Sequence, residues 1–329
     1  MKILITGGAG FIGSQVGNLL SKEHTVVSLD NLSYGKKENL LNDGKPFSDF
    51  VFCDVTDPDF EKYCIDVDVV IHLAGIAPLP ESQINPIKAY QNNLMGTINV
   101  IQACRKHNVK KIIFSSTSAV YENSETFPLK EDSYFKDPDL IYSMSKMASE
   151  KVCLSYCKNY DMDITILRFF NVYGINQDHT RKQPPLLGYI IKCLLNNESP
   201  TFYSDGSQSR DYIYVDDIYR LILCCIENKK SKGQIFNVCS GESYTVKEIY
   251  DIFRKNFNTD LECFFEQSEN FWDKYPDLFE GFYSFSRKRI KKEVNKYSLG
   301  CYDKAKSLLG WEPRIGLEQG IEKIIKEVK

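Results

Sequence analysis

The sequence predicts a doubly wound α/β fold, and three observations carry the prediction. Short apolar runs alternate with segments of helical periodicity through the first half of the chain. Those runs are near-continuous Val, Ile and Leu, as in strands covered on both faces. A glycine-rich turn joins the first run to the first helical segment. Such alternation builds a parallel sheet with right-handed crossovers and helices on either side.

"KILITG" (2–7) is the first strand, and "GFIGSQVGNLLSK" (10–22) follows as an amphipathic helix. Further strands are "TVVSLD" (25–30), "FVFCDV" (50–55), "VDVVIHLAG" (67–75), "VKKIIFSST" (109–117) and "ITILRFF" (164–170). Between the later ones lies the helical run 86–107, opened by Pro86, a residue suited to a first turn. After about residue 170 the pattern loosens. "GINQDHTRKQPP" (174–185) reads as a polar loop and "LLGYIIKCLLNN" (186–197) as a helix. "RDYIYV" (210–215) and "QIFNVC" (234–239) read as strands, with helices from Asp216 and over 245–257. Segment 263–299 mixes aromatics and charges, and an amphipathic helix closes the chain. The expected division is a first domain over 1–170 and a smaller α/β domain over 171–329, some of whose segments return to the first.

At 329 residues the chain exceeds the usual single domain. Its net charge of −3 and dispersed lysines argue against a polyanion-binding surface. The densest basic run, "SRKRIKK" (286–292), is short, is followed by Glu293, and reads as a solvated or ligand-edge segment. No apolar run approaches the roughly 18–20 residues that span a bilayer. "MKILITGG" begins directly with a strand and lacks the features of a signal peptide. The eleven cysteines are odd in number and scattered, with no C-x-x-C pair. Reduced packing thiols in a cytoplasmic protein are expected, with Cys224–Cys225 and Cys153/Cys157 at core positions. No metal-ligand cluster stands out; His72 reads as a buried packing residue, His107 as a helix-end cation and His179 as a loop residue.

"LITGGAGFIGS" places Gly7, Gly8, Gly10 and Gly13 between a strand and a helix. The first allows a sharp turn, Gly10 lets the backbone approach a pyrophosphate, and Gly13 permits close helix–sheet packing. The helix start offers free N–H groups and the positive end of the dipole. Asp30 ends the next strand, where a carboxylate accepts ribose hydroxyls and repels a 2′-phosphate, favouring NAD over NADP. Lys36 and Lys37 lie beyond that strand end. Asp54 and Val55 fall at the sheet edge where an adenine would lie. The first domain is thus expected to be an NAD-binding Rossmann domain.

The strand "KKIIFSST" ends in three hydroxyls, Ser115, Ser116 and Thr117, at the carboxyl end of the sheet. Tyr142 opens the next helix and Lys146 stands one turn along on the same side. A phenol is a poor base at neutral pH. A nearby ammonium and a nicotinamide cation stabilise the phenolate, which can then move a proton while a hydride is transferred.

Taken with HLAG, NNLMGT, SSTSAVY, RFFNVYG, SRDYIYVDDI and KAKSLLGWEP, these residues resemble the extended short-chain dehydrogenase/reductase family. Within it the chain is similar to NAD-dependent nucleotide-sugar epimerases of the UDP-glucose 4-epimerase type. The resemblance implies inversion at C4 of a nucleotide sugar, most often a UDP-sugar, through a transient 4-keto sugar. It implies Thr117 as catalytic hydroxyl, Tyr142 as acid/base and Lys146 as its electrostatic partner. NAD would be bound by Gly7, Gly10, Phe11, Ile12 and Gly13, by Asp30 and the loop Asn31, Leu32, Ser33, Tyr34 and Gly35, and by Asp54 and Val55. Leu73, Ala74, Gly75, Asn93 and Phe169, with Tyr142 and Lys146, would face its nicotinamide half. Thr117, Tyr142, Asn171, Tyr203 and Arg210 would hold the substrate, Arg210 at the diphosphate. It further implies a homodimer through helices near 86–107 and 142–158, with Met147, Val152, Cys153 and Tyr156 as apolar residues for the contact.

The sequence also departs from the family pattern. Ser118-Ala119 stands where sugar-nucleotide dehydratases carry an acidic pair, so the catalysts of dehydration are missing. Glu122 replaces the glycine usual after "VY", and "GIAPLPES" is an uncommon nicotinamide-side loop. Arg287 and Arg289 are candidates for a C-terminal diphosphate arginine in an unusual context. A nucleotide-sugar 4-dehydrogenase or 4-ketoreductase is the alternative enzyme reading. A non-catalytic dinucleotide sensor is a third, disfavoured by the intact Thr/Tyr/Lys set.

Overall fold

Seven strands form the main sheet of the computed structural model, which describes residues 1–181 and 183–328. They are β1 (Lys2–Thr6), β2 (Thr25–Asp30), β3 (Asp49–Phe52), β4 (Val69–His72), β5 (Lys111–Thr117), β6 (Ile164–Phe169) and β7 (Ile235–Val238). All neighbours are parallel, in the order β3-β2-β1-β4-β5-β6-β7. The six strands expected from the sequence are all present, and "QIFNVC" becomes the seventh, paired with β6.

The period of two along each strand explains why these runs are apolar at nearly every position. Ile3, Ile5, Ile71, Ile113 and Leu167 point to one face, against Val16 and Leu20 of helix Phe11–Leu20 and Leu221 of helix Val215–Glu227. Leu4, Val70, Ile112, Phe114 and Ile166 point to the other, against Val100, Ile101 and Cys104 of helix Gly96–Lys106 and Cys153 of helix Ile141–Tyr160. Each such side chain contributes roughly 1.5–3 kcal/mol on burial, so the sheet is a rigid platform. The chain runs outward from β1 to β3, then returns to β4 on the other side of β1. At this reversal the connections diverge and leave a crevice at the carboxyl ends of β1 and β4.

The run 86–107 is one helical stretch with a π-helical insert, Gln91–Met95, between Pro86–Tyr90 and Gly96–Lys106. Inserts of this kind concentrate at functional sites, and here it carries the fully buried Asn93.

The later chain builds a second layer. Strand Ser209–Tyr214 pairs antiparallel with Ser243–Thr245 through its first half and parallel with Asn171–Tyr173 through its second. Helices Leu186–Leu195, Val246–Phe257 and Leu317–Val328 pack on it in a separate core around Ile190, Ile249, Phe253 and Ile321. Segment 263–299 forms a satellite cluster of Trp272, Tyr275, Leu278, Ile290 and Val294 against Leu140, the residue preceding helix Ile141–Tyr160. All eleven cysteines are unpaired. No helix among the described residues is long and apolar enough to cross a membrane.

Candidate active site

The glycine turn is built on close backbone approach. Gly7 has φ +70°, and a Cβ at Gly13 would stand 2.2 Å from the Gly7 carbonyl oxygen. Helix Phe11–Leu20 begins at Gly10 with no side-chain cap and no acidic residue in its first turn. Its orphan amides are therefore available to an anion.

Asp30 ends β2 and is 7% exposed. Its carboxylate accepts from Ala9 N (3.0 Å) and Leu32 N (2.8 Å), which holds both oxygens in place and leaves each a further lone pair. Burial raises its pKa against the lowering by these amides. Asn31 turns to Asp54, whose carboxylate accepts from Asn31 Nδ2 (2.6 Å), Thr56 N (2.8 Å) and Thr56 Oγ1 (2.7 Å). Burial pushes the Asp54 carboxyl up, but these bonds win and hold it low. Val55 is buried against Gly96. The loop beyond Asp30 crosses the crevice: Tyr34 donates to Glu81, and Lys36 donates to Thr180 (3.1 Å) and pairs with Asp178 (3.5 Å).

One cleft of about 300 Å³ is lined by Gly7, Gly10, Phe11, Ile12 and Gly13 at one end and by Thr117, Tyr142 and Lys146 at the other. Leu73, Gly75 and Phe169 lie between them. The three hydroxyls ending β5 separate by their partners. Ser116 donates to Glu150, which also holds Arg168 in a buried bidentate pair (2.9 and 2.7 Å). The Thr117 hydroxyl accepts from Ala119 N (3.1 Å) and lines the cleft with the Tyr142 phenol. Burial raises the Tyr142 pKa and the Thr117 hydroxyl opposes the rise. Lys146 is 4% exposed, with Nζ 4.6 Å from the Phe114 ring centroid. Burial brings its pKa down to about 8, against the opposing influence of Cys153 and Glu150.

Asn93 supports this end of the cleft rather than presenting a free amide. Its Oδ1 accepts from Ile76 N (2.8 Å), and its Nδ2 donates to Ile76 O (3.1 Å) and Ser145 Oγ (3.0 Å). That locks the 74–78 turn to the helix of Tyr142. His72 is buried between Thr6 Oγ1 (2.7 Å) and Thr97 Oγ1 (3.1 Å), and burial with the nearby Lys146 pushes its pKa down to about 3. It is a neutral packing residue.

Ala77 and Val172 line both this cleft and a second cavity of about 480 Å³. Asn171, Tyr203 and Arg210 line that cavity. Asn171 Nδ2 donates to Asp211 O (2.8 Å) and leaves its own carbonyl oxygen for other use. Arg210 departs from the simple expectation. Its guanidinium donates to backbone carbonyls of Ser209 (3.1 Å), Glu293 (2.9 Å), Val294 (3.1 Å) and Lys296. Most of its donors are thereby engaged by the 293–296 turn. Arg287 and Arg289 do not line the cavity: Arg287 pairs with Asp273, and Arg289 with Glu122.

Sequence reasoning missed part of the cavity wall. Arg181 lines it with no ion pair among the described residues. Gln177, Gln183 and Gln208 anchor their amide nitrogens on Val172 O (3.0 Å), Phe271 O (3.5 Å) and Tyr203 O (2.7 Å). Each keeps a buried carbonyl oxygen without a protein partner, a state that calls for a reason. The polar loop 174–185 was the only signal for Gln177, Arg181 and Gln183. Of the four apolar residues expected at a dimer contact, Met147 and Cys153 are buried in the protein's own cores, and Val152 and Tyr156 pack partly buried against one of them.

A glycine cradle at a helix start, leading to a hydroxyl, a phenol and a perturbed ammonium, defines the site of a dinucleotide-dependent hydride-transfer enzyme. The chain belongs to the NAD dependent epimerase/dehydratase family, whose model matches residues 3–239. It is similar to the UDP-glucose 4-epimerase of Yersinia enterocolitica, with 35% identity over 79% of this chain and 85% of the relative. Among solved structures it is similar to the UDP-glucose 4-epimerase of Thermotoga maritima with UDP-glucose: TM-score 0.86, 30% identity, 100% of this chain and 98% of the other. It is likewise similar to the UDP-glucuronic acid 4-epimerase of Bacillus cereus in complex with UDP-glucuronic acid and NAD: TM-score 0.82, 29% identity, 100% of both chains.

Proposed function

We propose that this protein is an NAD-dependent epimerase that inverts C4 of a UDP-sugar. The observation that carries the proposal is the joining of two cavities at Ala77 and Val172, one ending in Thr117, Tyr142 and Lys146, the other lined by Asn171, Arg181 and Arg210. The cradle of Gly7, Gly10 and Gly13 and the carboxylate of Asp30 fit NAD, since a Cβ at Gly13 would fill the turn. NAD, when bound, supplies a hydride acceptor that returns the hydride to the same carbon.

Tyr142 takes the proton from the sugar O4 as C4 is oxidised and gives it back on reduction. Thr117 holds that oxygen in line, and Lys146 stabilises the phenolate by charge. Arg181 and the remaining Nε–H of Arg210 are suited to the diphosphate, and the unpartnered oxygens of Gln177, Gln183 and Gln208 to donors of the nucleotide or sugar. Ser118 and Ala119 supply neither acid nor base, so dehydration is not supported.

The cytoplasmic reading is supported by eleven free thiols, and a division of labour near residue 170 by the separate cores of the two layers. A homodimer is supported by Ile87 (70% exposed) and Met95 (54% exposed) on the helical run 86–106. Sedimentation at micromolar concentration tests it; a strict monomer removes it.

Incubation with UDP-glucose, UDP-N-acetylglucosamine and UDP-glucuronic acid in deuterium oxide tests the activity. The expected product is a C4 epimer carrying no solvent deuterium at C4, with no net NADH. Stoichiometric NADH release with an oxidised sugar would establish a 4-dehydrogenase instead.

A further inference from the structure

Helix Ile141–Tyr160 carries the acid/base at its second position, yet its N-cap residue is Leu140, which has no side chain to cap it. The amides of a first turn need acceptors from elsewhere. Gln83 Oε1 accepts from Ile141 N (2.7 Å). Glu122 holds the backbone entering the turn and one side chain within it: Oε1 accepts from Asp139 N (2.7 Å) and Leu140 N (3.2 Å), and Oε2 accepts from the hydroxyl of Ser143 (2.9 Å). Tyr142 is thus flanked on both sides in sequence by groups bound to remote carboxyl or amide oxygens.

The Glu122 side chain is 1% exposed, and its countercharge is Arg289. Arg289 belongs to helix Arg287–Val294. The carboxyl end of that helix receives Arg210 on the carbonyls of Glu293 and Val294, and Arg210 lines the substrate cavity. The same helix packs Ile290 and Val294 in one cluster with Leu140. A continuous set of contacts therefore runs from the cavity wall through Arg289 and Glu122 to the turn that begins the catalytic helix. It uses Glu122, the departure from the glycine that the family pattern leads one to expect.

We propose that Glu122 and Arg289 are positioning residues that hold Tyr142 in register with the wall of the substrate cavity. The proposal rests on the epimerase reading for its kinetic consequence. Neither residue touches the cleft that ends at Tyr142; their effect is exerted through the first turn. A buried carboxylate without its guanidinium becomes costly to hold, so the two should act as a unit.

The test compares the NAD-loaded wild type with Glu122→Gln, Arg289→Met, Arg289→Lys and the double variant Glu122→Gln/Arg289→Met. The measurements are kcat and KM on whichever UDP-sugar the wild type turns over, and amide hydrogen exchange of residues 139–143. Glu122→Gln and Arg289→Met should each lower kcat about 10- to 100-fold, the scale of a small misplacement of a reacting group, with KM moved less than about threefold. Arg289→Lys should restore kcat to within about threefold. The double variant should lose no more than the worse single variant, as expected for groups in one network. Exchange of the Asp139 and Leu140 amides, which Glu122 accepts from, should quicken about tenfold in Glu122→Gln and Arg289→Met. Unchanged kcat in both variants, or a loss confined to KM, overturns the proposal. If the wild type turns over no UDP-sugar, the epimerase reading falls, and amide exchange still decides: unchanged exchange over residues 139–143 in both variants overturns the positioning role.

Discussion

The cofactor cleft and the substrate cavity meet at Ala77 and Val172 but are made differently. The cleft is made by the ends of β1, β4, β5 and β6, by one glycine turn and by the starts of two helices, all seated on cores buried on both faces of the sheet. The cavity is made by residues 77–80 and by side chains drawn from separate segments between 171 and 294, several of them tied to backbone carbonyls. A backbone-built site tolerates little change at each position and fails sharply. A site assembled from many side chains loses function by degrees, because each contributes a share.

The largest expected effect lies in the cleft. Tyr142→Phe should keep fold and bound NAD but lower kcat by about 10²–10⁴; normal turnover would remove the phenol from the chemistry. Gly13→Ala comes next, because its methyl would meet backbone at 2.2 Å and backbone cannot swing aside. Overpacking of this kind costs about 1–3 kcal/mol, so NAD binding by calorimetry should weaken roughly 5- to 150-fold while UDP binding in the cavity is retained. Comparable loss of both ligands would show that the two regions do not fail separately.

Arg181→Ala probes the other side of the comparison. Hydrogen bonds to charged groups contribute about 1.5–3 kcal/mol, reduced here by solvent because Arg181 is only partly buried. The KM for the UDP-sugar should rise about tenfold, with kcat within about threefold. A fall in kcat alone would instead place Arg181 in the chemistry.

The smallest effect is in pH dependence. Lys146 has its pKa lowered from 10.5 to about 8, first by burial. Between those values the unfolded chain binds the proton more than the folded one, so this group's contribution to stability improves as pH rises from about 8 to 10.5. Denaturant midpoints should therefore show wild type gaining on Lys146→Met across that window. A constant difference would mean that the ammonium is not desolvated in the folded protein.

Much of the cleft was legible in the sequence because its signals are local. Strand runs, the spacing Gly7-x-x-Gly10-x-x-Gly13 and the four-residue step from Tyr142 to Lys146 follow from the periods of strand and helix, which depend only on near neighbours. The cofactor preference also lay within reach, since Asp30 ends a strand that could be read directly. Spacing alone does not separate Ser115, Ser116 and Thr117 at the end of β5, and the structure turns Ser116 away to Glu150. The roles of Arg210, Arg181 and the three cavity glutamines depend on carbonyls and empty lone pairs brought together by folding, with no spacing to announce them. Glu122 and Arg289 lie 167 positions apart, and nothing in the chemistry of either residue selects the other. By itself the sequence determined the sheet, the cradle and the catalytic helix, because those arise from backbone periodicity; only the tertiary structure decided which charges pair and which donors remain for a substrate, because that depends on long-range burial and the competition for partners it creates.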